Sequence, residues 1–249
     1  MDIDKSLINT SLLPGDIVGT VVQSTSTENE GKQQPVRIGP GLTLLDDTLV
    51  AVKAGKLRYD TLTKRYFLEN NQKRYICAVG DMVVGTIKET VGESFRVDIG
   101  TAHSALLDVT GFDGASRRNR PDLFPGDLIY ARVTVANKDL EPEITCLSSQ
   151  GTARRDWITG QSVFGPLKHG FVINCSLGMS RRLLDPNCEL FKQIGDKCSF
   201  EAAVGMNGRV WITSEDSRDI VLISNALEYS QHLDDQGIEK MLNTLFKSR

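Results

Sequence analysis

Hydrophobic and polar positions alternate with period two along most of the chain, and a longer period takes over only towards the C-terminus. Phe95, Val97 and Ile99 alternate with Arg96 and Asp98, and Ile129, Ala131, Val133 and Val135 follow the same rule. Strict alternation of this kind marks a half-buried strand. A Gly-Asp pair precedes apolar runs at Gly15-Asp16, Gly80-Asp81, Gly126-Asp127 and Gly195-Asp196. Glycine supplies a turn conformation closed to other residues, and aspartate can hydrogen-bond its own backbone two residues on. Each pair is therefore read as a turn that opens a strand. Short strands at this spacing predict small barrels or sandwiches.

Three segments follow from the pattern. Residues 1–76 read as an all-β domain, with strands at Thr48–Lys53, Gly55–Tyr59 and Arg65–Leu68 and a polar insert, Gln23–Gln34, that reads as a flexible loop. Residues 77–149 fit a five-stranded OB-like barrel. Residues 150–249 mix classes. Phe171–Cys175 is a strand, and Leu177–Leu184 and Pro186–Gln193 are short helices, the second with proline at its first position. Phe200, Ala202 and Val204 alternate into a Gly205-Met206-Asn207-Gly208 turn, and Val210 and Ile212 alternate out of it. Thr213 and Asp216 read as a capping box opening a helix to about Gln231, with Ile220, Ile223 and Leu227 on one face. A last amphipathic helix carries Ile238, Met241, Leu242, Leu245 and Phe246, with Asp234 and Asp235 ahead of it. The expected fold is thus mainly β, with an α+β part at the C-terminal end.

Composition narrows the function. The net charge of −3 over 249 residues lacks the basic excess of an autonomous nucleic-acid binder, so any RNA contact is local or shared with partner chains. The five cysteines form no C-x-x-C pair, which points to reduced, buried thiols and to neither a zinc site nor a disulfide framework. The N-terminal stretch has no apolar signal region, and no apolar run reaches the roughly 20 residues of a membrane span. An intracellular protein without membrane partners is expected.

No catalytic constellation emerges. His103, His169 and His232 are scattered, outside any H-E-x-x-H or H-x-E context. Gly165–Gly170 has the spacing of a phosphate loop, but Phe171 stands where lysine is needed. No catalytic residue, metal or cofactor is nominated.

Four runs carry a resemblance. Gly111–Pro121, Pro125–Tyr130 and Val135–Glu143 resemble the S1 domain of an exosome cap subunit, and Gly205–Ile212 is similar to the GxNG signature of that subunit's KH domain. The resemblance spans the chain and identifies it as a member of the ribosomal RNA-processing protein 40 family of the eukaryotic RNA exosome. It implies an N-terminal β domain at 1–76, an S1 domain at 77–149 and a KH domain with C-terminal helices at 150–249. It also implies a cap position on a ring of RNase PH-like subunits, beside other S1 cap subunits. Single-stranded RNA would pass there towards a separate nuclease for rRNA processing and RNA degradation. The implied location is nucleus and nucleolus, and also cytoplasm.

The RNA-facing residues depart from a generic S1 pattern. Aligned on Val97–Gly100, Glu93 and Arg96 occupy the two customary aromatic positions and Asp108 the customary histidine. Carboxylates there repel phosphate and disfavour base stacking. The better candidate is Arg117-Arg118-Asn119-Arg120, whose guanidiniums clamp phosphates without reading sequence. Salt bridges to an acidic neighbouring subunit, or simple solvation, are the competing readings. Lys168 is a further candidate, and Arg154-Arg155 and Arg181-Arg182 are weaker ones. Gly205-Met206-Asn207-Gly208 matches the GXXG string with which KH domains grip RNA, yet its strand-flanked context favours a tight structural turn. Trp211 is expected to anchor a core or a domain boundary. An assembly and RNA-channel subunit is the first functional reading; an independent S1/KH RNA-binding protein is the alternative.

Overall fold

The computed structural model describes residues 2–3, 5–20, 37–61, 64–70, 72–116, 118–137, 139–148, 163–233 and 235–248. The Gln23–Gln34 insert, Arg117, Arg154, Arg155 and Asp234 lie outside them. The chain divides into two compact units, Met1–Asn71 and Gln72–Arg249.

The first unit holds β1 (Asp2–Ile3), β2 (Ser11–Leu12), β3 (Ile17–Thr20), β4 (Arg37–Ile38), β5 (Leu42–Leu45), β6 (Thr48–Ala51), β7 (Gly55–Asp60) and β8 (Arg65–Glu69). They form two four-stranded sheets, ordered β1-β3-β6-β5 and β2-β7-β8-β4. Alternation sets the buried face: Leu49 and Ala51 on β6, Leu57 on β7, and Tyr66 and Leu68 on β8 join Leu12, Val18 and Leu42 in one core.

In the second unit β9 (Met82–Val91), β10 (Ser94–Asp98), β11 (Ala105–Phe112), β12 (Leu128–Val135) and β13 (Glu143–Cys146) close a five-stranded barrel, because β13 pairs with both β11 and β12. Strand β14 (Gly165–Leu167) adds to the outer edge of β12. The barrel is filled by Val83, Ile87, Phe95, Val97, Ile99, Leu107, Ile129, Val133 and their neighbours. Gly85 is required by this packing, since a Cβ there would overlap the Val97 side chain.

Three of the four Gly-Asp pairs build one and the same turn. Gly15, Gly80 and Gly126 have φ of 100°, 94° and 101°. The carboxylates of Asp16, Asp81 and Asp127 accept from the amides of Leu13, Ala78 and Phe124 at 2.7, 3.1 and 2.8 Å. The aspartate therefore bonds three residues back, across the turn. The fourth pair is different: Gly195 ends a helix and Asp196 caps it, and the strand begins only at Glu201.

The remaining part of the unit contains β15 (Phe171–Asn174), α1 (Leu177–Leu184), α2 (Leu190–Gly195), β16 (Glu201–Val204), β17 (Arg209–Thr213), α3 (Ser217–Ser230) and α4 (Asp235–Leu245). The sheet order is β15-β17-β16, all antiparallel. The second short helix starts at Leu190, later than the proline suggests. Asp185 Oδ1 accepts from both the amide and the side chain of Asn187, holding Pro186 in a turn outside the helix. The third helix is capped by Asp216 itself, which accepts from the amide of Arg218 at 2.9 Å. Thr213 has no part in a capping box, because its hydroxyl donates to the His169 carbonyl. Ile223 and Leu227 are buried while Ile220 is only partly so. On α4, Ile238 and Leu242 are buried in the core shared with α1, α2 and α3, and Met241, Leu245 and Phe246 pack against it. That apolar stripe is this chain's own core. No helix among the described residues is long and apolar enough to cross a membrane.

Candidate nucleic-acid interface

The Gly205–Gly208 turn is spent on the barrel. It joins β16 to β17 and is closed by Gly208 N–H to Gly205 O at 3.2 Å and Gly205 N–H to Arg209 O at 2.8 Å. Gly208 has φ of 80°, whereas Asn207 is not among the positive-φ residues, so the loop is longer than a two-residue Asn-Gly hairpin. Asn207 is 8% exposed. Its side-chain amide donates to the carbonyls of Val84 and Ile99 at 2.8 and 2.9 Å, and its Oδ1 accepts from the Val84 amide at 3.3 Å. Met206 N–H adds a bond to Met82 O at 2.7 Å. The string that resembles an RNA-gripping loop is thus turned inward, with the amides of Gly205, Met206 and Gly208 already bonded within the protein.

Side chains on either side extend the seam. Arg209 donates to the Asp98 carbonyl and carboxylate. Burial alone would raise the Asp98 pKa, but the hydrogen bond from Arg209 and that from the Gly100 amide hold it below the usual carboxylate value. Tyr130 donates to Val204 O at 3.1 Å, and burial pushes its hydroxyl up to about 12. Trp211 packs with Val84, Tyr130 and Ala203, so it anchors β17 against the barrel wall. Gly170 permits this: a Cβ there would collide with the indole. The helix–helix connection that does face solvent, Asp185 to Glu189, contains no glycine and two carboxylates. It is poorly suited to clamping a nucleotide backbone.

The arginine loop is presented outward. Arg118, Asn119 and Arg120 are exposed, and Ser116 and Asn119 exchange backbone hydrogen bonds at 2.8 and 3.1 Å to form a tight turn. Its stem is fixed from below. Phe112 is buried in the barrel core, and the buried Asp113 carboxylate accepts from the amide and hydroxyl of Ser148. Nothing local in the sequence announces that clamp, since its members stand 35 residues apart. Lys168 is exposed and borders a shallow hollow with Pro121, Asp122 and Leu123, directly after the loop. Lys168 thus lies beside the residues that follow the arginine loop, whereas the GMNG turn and Trp211 pack against the barrel wall. Arg182 donates towards Leu233 O at the end of α1.

The outer barrel face carries charge where bases would stack. Arg96 lies 3.5 Å from Glu89, Glu93 is exposed, and Asp108 accepts from the amide and hydroxyl of Thr110. His103, His169 and His232 are all exposed and sit on separate segments.

Family models match along the chain. The Exosome complex exonuclease Rrp40 N-terminal domain matches residues 36–74, the Exosome complex component RRP40 S1 domain 75–155 and a KH domain 170–218. A Dictyostelium discoideum protein assigned as exosome complex component rrp40 is 45% identical over 231 residues, covering 93% of this chain and 90% of that relative. Exosome complex component RRP40 of Drosophila melanogaster is 37% identical over 240 residues, covering 96% and 97%. The corresponding Schizosaccharomyces pombe component is 38% identical over 218 residues, covering 85% and 87%. A crystal structure assigned as an exosome complex RNA-binding protein superposes with a TM-score of 0.57 at 20% identity, over 71% of this chain and 98% of that one; it shows the shared fold.

Proposed function

Because the chain belongs to the RRP40 family of exosome complex components, we propose that it is a non-catalytic cap subunit. In that role it braces the RNase PH-like ring beside the other S1 cap subunits and guides single-stranded RNA into the central channel. The RNA is then processed or degraded from its 3′ end by another chain. The work lies in rRNA maturation and RNA turnover, in nucleus and nucleolus and also in cytoplasm.

The observation that carries this reading is the commitment of Asn207 to Val84 and Ile99. It supports a rigid S1–KH block whose KH turn braces the barrel. Phosphate contact falls to Arg117, Arg118, Asn119 and Arg120, with Lys168 beside them. Such contacts position a strand without reading its bases, which suits a channel that accepts many RNAs. The low net charge supports a surface shared with other subunits.

Two measurements test it. Size-exclusion of native extract is expected to place the chain in a large assembly, and elution near 27.4 kDa would favour an independent RNA-binding protein. The purified chain, given single-stranded RNA and magnesium, is expected to leave it intact; shortened products that persist through repurification would overturn the non-catalytic reading.

A further inference from the structure

The outer face of the β2-β7-β8-β4 sheet carries an arrangement that the arginine loop does not account for. Arg37 on β4 and Arg65 on β8 are register partners on adjacent parallel strands, and both are exposed. Like charges directly opposite one another destabilise a sheet unless a counter-charge joins them. Neither guanidinium has an ion pair or side-chain hydrogen bond among the described residues. Glu69, four positions along β8 from Arg65, is already held by Arg58 at 2.7 Å, and the register partner of Arg65 on β7 is the carboxylate Asp60.

Two residues along β8 from Arg65, on the same face, stands an aromatic. Phe67 lies on β8 between the buried Tyr66 and Leu68, so it points away from the core, and it is half-buried. Its register partner on β7 is Arg58. On the other flank is Gly39, which contributes no side chain; a Cβ there would stand 2.8 Å from Phe67 Cβ and 2.9 Å from Arg65 Cδ. The ring is therefore not roofed from the β4 side. An aromatic on an open sheet face with exposed arginines beside it is how single strands are held: a base stacks on the ring and the phosphates meet the cations.

We propose that this face of the N-terminal unit, centred on Phe67, Arg37 and Arg65, is a second contact site for single-stranded RNA. It rests on the RNA-guiding function proposed above and adds a site to it. The stacked base supplies a π-face of any identity, so the site is sequence-tolerant, like the arginine loop.

The test uses the full chain and a fluorescent oligouridine, with a 4-thiouridine version for photo-cross-linking. Phe67→Leu keeps the apolar volume and removes the stacking platform, and is expected to weaken binding about tenfold with an unchanged melting temperature. Arg37→Ala with Arg65→Ala is expected to weaken binding and to flatten its salt dependence. Cross-links are expected on the peptide that contains Phe67. Wild-type affinity in both variants, with cross-links confined to the arginine loop, overturns this site and leaves the RNA-guiding function standing. No RNA binding at any position overturns both. Unchanged RNA binding with loss of an acidic partner subunit from the assembled complex overturns the site in favour of a protein interface.

Discussion

Arg209 of the KH sheet grips Asp98 of the barrel twice, Nη1 to the backbone carbonyl at 2.6 Å and Nη2 to Oδ2 at 2.9 Å. The contact spans 111 residues of sequence, and it makes the two folds one body at that point. Burial opposes the charged form of Asp98, yet the hydrogen bonds from Arg209 and Gly100 prevail and lower its pKa. A carboxyl depressed below its unfolded value of about 3.9 adds stability above that pH and loses it as the pH falls through the folded value. Asp98→Asn is therefore expected to be less stable than wild type at neutral pH, with the gap closing below about pH 4. Urea midpoints across that range check it; a gap of constant size would contradict the assignment.

Asn207→Ala strips partners from the Val84 amide and from the Val84 and Ile99 carbonyls at a buried site. Each buried group left unsatisfied costs about 1–3 kcal/mol. A total loss of about 3 kcal/mol or more in chemical denaturation is expected. Asn207→Asp is expected to fare no better, because a carboxylate has no donor for the two carbonyls. RNA affinity per folded molecule is expected to stay unchanged, which separates a brace from an RNA-gripping residue.

Two glycines with the same backbone requirement distinguish strain from collision. Gly126 has φ of 101° with nothing within 4 Å of a Cβ, whereas Gly208 has φ of 80° and would place a Cβ 2.7 Å from the Cys175 carbonyl. Gly126→Ala is expected to cost about 1–2 kcal/mol from backbone strain alone. Gly208→Ala is expected to cost clearly more, and to lower the melting temperature further. Equal shifts would show that the turn relaxes away from Cys175.

Replacing Arg117, Arg118 and Arg120 together by alanine is expected to weaken single-stranded RNA binding without unfolding, since Arg118 and Arg120 are exposed and surface changes usually stay within about 0.5 kcal/mol. Loss of three phosphate contacts is expected to reduce the slope of log affinity against log salt by about 2. An unchanged slope would assign the loop to a protein partner.

Local chemistry was legible in the sequence and distant pairing was not. The alternation of Phe95, Val97 and Ile99 reported the barrel wall, and the turns at Gly15, Gly80 and Gly126 could be read from the glycine and aspartate alone. The pair at Gly195 misled because the same dipeptide also ends a helix, and the residues before it, Leu190 to Ile194, have helical rather than extended context. Asp216 caps its helix directly, so the Thr213 spacing was coincidental. The Asp185–Asn187 bond that displaces Pro186 is local but competes with helix propensity, which no count of apolar positions weighs. Asn207 was visible as a turn residue. Its partners were not, because Val84 stands 123 residues away and only the folded chain brings them together. The Asp113–Ser148 clamp beneath the arginine loop was hidden for the same reason.

In the proposed role this chain works, above all, as one part of a larger RNA-processing assembly. Affinity purification of the tagged full-length chain from its own cells, with mass spectrometry of what accompanies it, tests that most directly. Recovery of the other exosome subunits in comparable amounts, persisting after nuclease treatment, is the expected result. Recovery of the chain by itself, or with partners that depart when RNA is digested, would contradict it.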